Sequence, residues 1–170
     1  SYDASGNLVS VNYNGTEYYY MRNGQNDIVG LMDNSGAVMV SYSYDAWGKS
    51  LTVSGTLATT LGQDNPFRYR GYYYDTETGL YYLMTRYYDP EVCRFISADV
   101  YMTTGQGVLG GNMWAYCLNN PVLYSDTFGE SVTVCILGVT FTLVELLVIG
   151  VAVAVVADIL INGEEALVIK

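Results

Sequence analysis

Few side chains in this sequence could act on a bond. Histidine is absent from the 170 residues, which removes imidazole bases, His-containing metal sites and the Ser/His and Cys/His nucleophile pairs. The three cysteines, Cys93, Cys117 and Cys135, are odd in number and show no CxxC spacing. They read as small buried hydrophobes with free thiols. What remains is carboxylate chemistry. Two carboxylates held close can share a proton: the ionised one activates a water, and the protonated one donates to a scissile carbonyl or amide. Such a pair needs no histidine, and no grouping of side chains calls for a metal or a cofactor. Seven Lys and Arg against 17 Asp and Glu give a formal charge of −10. That balance argues against nucleic acid as a partner, because a phosphate backbone wants cations.

The elements that must position such a pair are short strands joined by tight turns. Tyr-Asp pairs recur at Tyr2-Asp3, Tyr44-Asp45, Tyr74-Asp75 and Tyr88-Asp89. The spacing Asp-x-x-Gly recurs at Asp3/Gly6, Asp27/Gly30, Asp33/Gly36, Asp45/Gly48 and Asp126/Gly129. Asp accepts backbone N–H bonds at the start of a turn, and Gly tolerates positive φ at its end. Between turns the chain alternates: Val38, Val40, Tyr42 and Tyr44 share one face, and Met39, Ser41 and Ser43 the other. One such hairpin cannot bury its own face, so neighbours must stack. From Asn65 to Gly129 the apolar and aromatic bursts are broken at Asn65-Pro66, Thr78-Gly79, Asp89-Pro90 and Asn120-Pro121, which again reads as strands and hairpins. Ser50 to Asp64 is small and polar, and reads as a loop linking the two parts.

The run FRYRGYYYDTETGLYYLMTRYYDPEVCRFISAD resembles the RHS repeat-associated core domain, which closes Rhs/YD-repeat proteins. The resemblance covers Asn65 to Gly129 closely and Ser1 to Leu51 through the repeats. It implies a mainly β fold, with YD-repeat hairpins forming part of a spiral shell around a C-terminal polypeptide, usually a toxin. The expected organisation is hairpins over 1–51, a linker over 52–64, the core domain over 65–129 and a variable tail over 130–170. The sequence reads as the C-terminal piece of a longer chain. The implied setting is a secreted or cell-surface polymorphic toxin. Its partners would be the upstream YD repeats of the same chain, and an immunity protein or a target cell.

The resemblance also selects two carboxylates. In that family an aspartate after the Arg-Phe pair and an aspartate in the last DPxG motif form a self-cleaving dyad. Carried onto this sequence, these are Asp99 in Ile96-Ser-Ala-Asp99 and Asp126 in Pro121-Val-Leu-Tyr-Ser-Asp126-Thr-Phe-Gly129. The implied cut lies shortly after Gly129, near Glu130. Val100 and Thr127 stand where many relatives carry proline, and Glu130 where a hydrophobic residue is common. A changed turn at Asp126 that moves its carboxylate by about an ångström would cost a large rate factor. The alternative is that Asp99 and Asp126 only cap turns. Arg94 is the candidate to neutralise or orient one carboxylate, against a plain ion pair, and Asp89 reads as a turn former.

From Val132 to Ala157 the tail is almost wholly apolar, with Glu145 its only charge. That exceeds the roughly 20 residues of a membrane-crossing helix. Many valines and threonines favour strands instead. Two readings follow: a transmembrane helix over 132–157, which would make the chain a membrane-anchored surface repeat protein, or buried strands or a helix inside the shell. Asn162-Gly163 lies between apolar runs and predicts a terminal hairpin.

Overall fold

Alternating apolar and polar residues between Asp/Asn-Gly turns build antiparallel hairpins in sequence order. The computed structural model describes residues 1–4, 8–99, 112–130, 133–136 and 139–142. The first sheet is a meander of β1 (Ser10–Tyr13), β2 (Thr16–Arg22), β3 (Ile28–Met32), β4 (Val38–Tyr44) and β5 (Ser50–Ser54). Asn14 and Gly15 join β1 to β2 with φ of 52° and 85°, the paired positive values of a two-residue hairpin turn. At the β3–β4 turn the Asp33 carboxylate accepts from Ser35 N at 2.8 Å and Ala37 N at 3.0 Å. At the β4–β5 turn Asp45 accepts from Trp47 N at 2.8 Å and Lys49 N at 3.0 Å. The Asp27/Gly30 spacing is no turn: Gly30 lies inside β3, where a Cβ would stand 2.7 Å from the Val40 carbonyl.

Ser50 to Asp64 differs from the expected loop. Ser50–Ser54 pairs with β4 as the fifth strand. The chain then returns across the sheet, with Leu57 N donating to the Met39 carbonyl at 3.0 Å. A single helical turn, α1 (Leu61–Asp64), buries Leu61 against Val40, Ile28, Leu31 and Tyr42. The small residues that suggested a loop allow this close approach.

The second sheet is β6 (Tyr73–Asp75), β7 (Leu80–Tyr82), β8 (Tyr87–Asp89) and β9 (Arg94–Phe95). Its register sets Tyr74, Tyr81, Tyr88 and Phe95 opposite one another on one face. With Tyr69, Tyr72, Leu83, Tyr116 and Cys117 they form a second core. A buried tyrosine needs an acceptor for its hydroxyl. Tyr69, Tyr88 and Tyr81 find theirs in the carbonyls of Ala46, Trp47 and Gly48, at 2.9, 2.7 and 2.8 Å. The second sheet therefore grips the β4–β5 turn of the first. A buried Arg70–Asp27 ion pair at 3.5 Å and an Ile28 N–Arg68 O bond at 3.0 Å complete the seam.

The third sheet is β10 (Tyr124–Ser125), β11 (Thr133–Ile136) and β12 (Val139–Thr142). It bears on the two readings of the apolar segment at its opening, where 133–136 and 139–142 are strands of a hairpin paired with β10 and not part of a helix. Among the described residues no helix is long and apolar enough to cross a membrane. The rest of that segment, from 143 on, and the Asn162-Gly163 turn lie outside the described residues.

Candidate functional site: two aspartates on one arginine

β8 fixes the centre of the site. Arg86 precedes it, and strand parity puts the side chain on the same inward face as Tyr88 while Tyr87 points out. The guanidinium stacks on the Phe95 ring, with Cζ 3.6 Å from the ring centroid. Its Nη1 donates to the Met113 carbonyl at 3.1 Å. Its Nη2 faces two carboxylates, Asp99 Oδ2 at 2.9 Å and Asp126 Oδ2 at 3.4 Å. Its Nε donates to the Gly129 carbonyl. Burial lowers the Arg86 pKa from its ordinary value, and the charges of Asp99 and Asp126 act in the opposite direction.

Asp99 is carried by the chain leaving β9. Phe95 N bonds the Trp114 carbonyl at 3.0 Å and Asp99 N bonds the Met113 carbonyl at 2.9 Å, so residues 95–99 run beside 113–115. Asp126 follows β10 and is 2% exposed. Its Oδ1 accepts from Gly129 N at 2.8 Å and Glu130 N at 3.1 Å. Tyr72 donates its hydroxyl to the Asp126 backbone carbonyl at 2.7 Å and lies 3.2 Å from the Tyr116 hydroxyl. Burial pushes the pKa of both phenols well up, so each stays a neutral donor. Burial likewise pushes the neighbouring Cys117 thiol up to about 12, which keeps it un-ionised and inert at neutral pH.

The peptide between Gly129 and Glu130 is held at both ends, its carbonyl by Arg86 and its N–H by Asp126. Thr85 Oγ1 donates to the preceding carbonyl, Phe128 O, at 2.8 Å. Gly129 has φ 76°, and a Cβ there would stand 2.7 Å from both Leu83 O and Thr85 Oγ1. The position admits glycine and little else. Glu130 itself is exposed.

Asp99 and Asp126, far apart in sequence, thus meet on one cation. Arg94 does not join them: its side chain is exposed on β9, next to the inward-facing Phe95. Asp89 forms a turn, accepting from Glu91 N at 2.8 Å. The residues that sequence reasoning missed are Arg86, Tyr72 and Thr85. For Arg86 a signal was present, since it keeps the parity of Tyr88.

Stacked antiparallel hairpins, closed by a tyrosine core that gathers two carboxylates beside one turn, define a repeat-shell domain. The chain belongs to the teneurin YD-shell family, whose model matches residues 1–119. It is 42% identical over 130 residues to the tRNA3(Ser)-specific nuclease WapA of Bacillus spizizenii, covering 76% of this chain and 5% of that one. It is 41% identical over 73 residues to toxin protein Tse5 of Pseudomonas aeruginosa, covering 43% of this chain and 5% of that one. Among solved structures, the TcdB2-TccC3-Cdc42 complex superposes with a TM-score of 0.60 at 27% identity, over 70% of this chain and 5% of that one. The chain therefore spans a small fraction of each of these three.

Proposed function

We propose that this chain is the closing end of a YD-repeat shell that encloses a C-terminal polypeptide, and that Asp99 and Asp126 cut the chain beside Glu130. The observation that supports the reading is the shared arginine: Arg86 Nη2 reaches both carboxylates while Arg86 Nε holds the Gly129 carbonyl. In the reaction, one ionised carboxylate takes a proton from a water whose oxygen adds to the scissile carbonyl carbon. The other, protonated, gives its proton to the departing nitrogen as the C–N bond breaks. One new carboxyl end and one new amine end result. Arg86 stabilises negative charge developing on the oxygen it holds. The named relatives are a nuclease and a toxin protein, each many times longer than this chain. By that likeness the whole protein is secreted or surface-displayed, and the polypeptide beyond Glu130 is the enclosed part.

The test is the intact mass of the folded chain and of Asp99→Asn. The reading expects two pieces in the parent, joined at a bond flanking Glu130, and one piece in the variant. Cutting that persists in Asp99→Asn removes the dyad assignment.

A further inference from the structure

The hairpin between β7 and β8 turns within Leu83 to Arg86, and its backbone is strained. Leu83 N bonds the Arg86 carbonyl at 2.9 Å, and Thr85 N bonds the Leu83 carbonyl at 2.7 Å. The second bond closes a three-residue turn about Met84, whose φ is 62°. A three-residue turn with positive φ at its centre is the rarer and costlier form. Met84 is 63% exposed, so packing of its side chain does not account for the strain. Strain of this kind persists where the surrounding structure requires it. Here the turn sets two consecutive side chains on two consecutive carbonyls. Thr85 Oγ1 donates to the Phe128 carbonyl at 2.8 Å, and Arg86 Nε donates to the Gly129 carbonyl. The Leu83 carbonyl closes the third side, 2.7 Å from where a Cβ on Gly129 would stand.

From the carboxylate side the two peptide bonds look alike. Asp126 Oδ1 accepts from Gly129 N at 2.8 Å and from Glu130 N at 3.1 Å, so it holds the N–H of each. From the hairpin side they differ: the Phe128 carbonyl meets a neutral hydroxyl, and the Gly129 carbonyl a guanidinium. A charged donor stabilises negative charge developing on a carbonyl oxygen far better than a neutral one. We propose that Thr85 is a positioning residue that sets the register of the cut. Its hydroxyl keeps the Phe128 carbonyl off Arg86, so that the chain presents a bond flanking Glu130 and not the bond one residue earlier. Without the hydroxyl, the Phe128 carbonyl is free to slip onto the guanidinium, a movement that Gly129 allows because it carries no side chain. The inference rests on the reading that Asp99 and Asp126 cut this chain. It adds what selects the bond.

The experiment follows the full chain during cell-free synthesis, with intact masses read over time for the parent, Thr85→Val and Thr85→Ser. Thr85 is exposed and valine is close to it in shape, so circular dichroism should show the same fold in all three. The parent should give one junction, beside Glu130. Thr85→Val should cut about threefold to tenfold more slowly, the worth of one hydrogen bond. It should also yield a second N-terminal piece that ends at Phe128, lighter than a piece ending at Gly129 by one glycine. Thr85→Ser keeps the hydroxyl and should restore the single junction and a near-parent rate. Thr85→Val that cuts only beside Glu130 overturns the inference, and so does Thr85→Ser that behaves like Thr85→Val. A folded parent that stays whole overturns the cutting reading itself, and this inference with it.

Discussion

Two turns in this molecule share a sequence pattern and differ in what packs on them. Asp45–Gly48 and Asp126–Gly129 each begin with an aspartate that accepts backbone N–H groups and end in a glycine of positive φ, 88° and 76°. On the first turn, three tyrosine hydroxyls take the carbonyls of Ala46, Trp47 and Gly48. Its aspartate is half-exposed, and the nearby Lys49–Glu91 pair lies on the surface, where such a pair contributes about 0–1 kcal/mol. On the second turn, a buried arginine takes a carbonyl and the turn's own carboxylate, and brings in Asp99. The Asp-x-x-Gly unit is thus a joint of the scaffold in both places. Only the second turn has a cation and a second carboxylate folded onto it.

Tyrosine hydroxyls hold both turns, so the largest effect should come from ionising them. Burial raises the pKa of Tyr69, Tyr72, Tyr81, Tyr88 and Tyr116 above the ordinary value, which is about 10 in an unfolded chain. The folded state therefore keeps these protons more tightly. Its stability should be complete below pH ~10 and fall as pH rises beyond it. Circular dichroism across an alkaline titration checks this; a fold that persists unchanged well above that pH contradicts the buried-phenol core.

Arg86→Met should break only the second turn. It leaves two carboxylates without their cation, at a cost of about 3–5 kcal/mol in urea unfolding. Lys49→Met, beside the first turn, should cost under about 1 kcal/mol. Gly129→Ala and Gly48→Ala sharpen the comparison, because both place a Cβ in occupied space. At Gly48 the obstacle is the Tyr69 ring at 2.5 Å. Each should lose about 2–3 kcal/mol from left-handed strain and overpacking, but only Gly129→Ala should also stop the cut. Smaller effects than at the glycines belong to Asp45→Ala and Tyr81→Phe. Each removes acceptance or donation at the first turn for about 1 kcal/mol, with the cut intact by mass spectrometry.

Much of this was legible in local pattern. The Asp33 and Asp45 turns, the Asp89 turn and the alternation of Val38 to Tyr44 follow from residue type and period. The Asp99–Asp126 pairing came from resemblance, since nothing in the spacing says that a residue on the exit of β9 meets one after β10. Arg94 was the candidate to orient a carboxylate, against a plain ion pair, and the cation that faces both carboxylates is Arg86. Strand parity explains the difference: Arg94 adjoins the buried Phe95 and must face out, while Arg86 shares the face of Tyr88. β5 was missed because Ser50–Ser54 buries little of its own, and its stability comes from the β4 ladder. The strands at 133–136 and 139–142 were one of two readings that the apolar segment left open. A long apolar run reads equally as helix or strand until a partner is known, and here the partner is β10.

The most direct test of the central claim is the intact mass of the folded chain beside Asp126→Asn and Asp45→Asn. The account predicts two pieces meeting beside Glu130 in the parent and in Asp45→Asn, and one uncut mass in Asp126→Asn. A single full-length mass in the folded parent, or cutting that survives Asp126→Asn, would contradict it and leave the second turn a joint like the first.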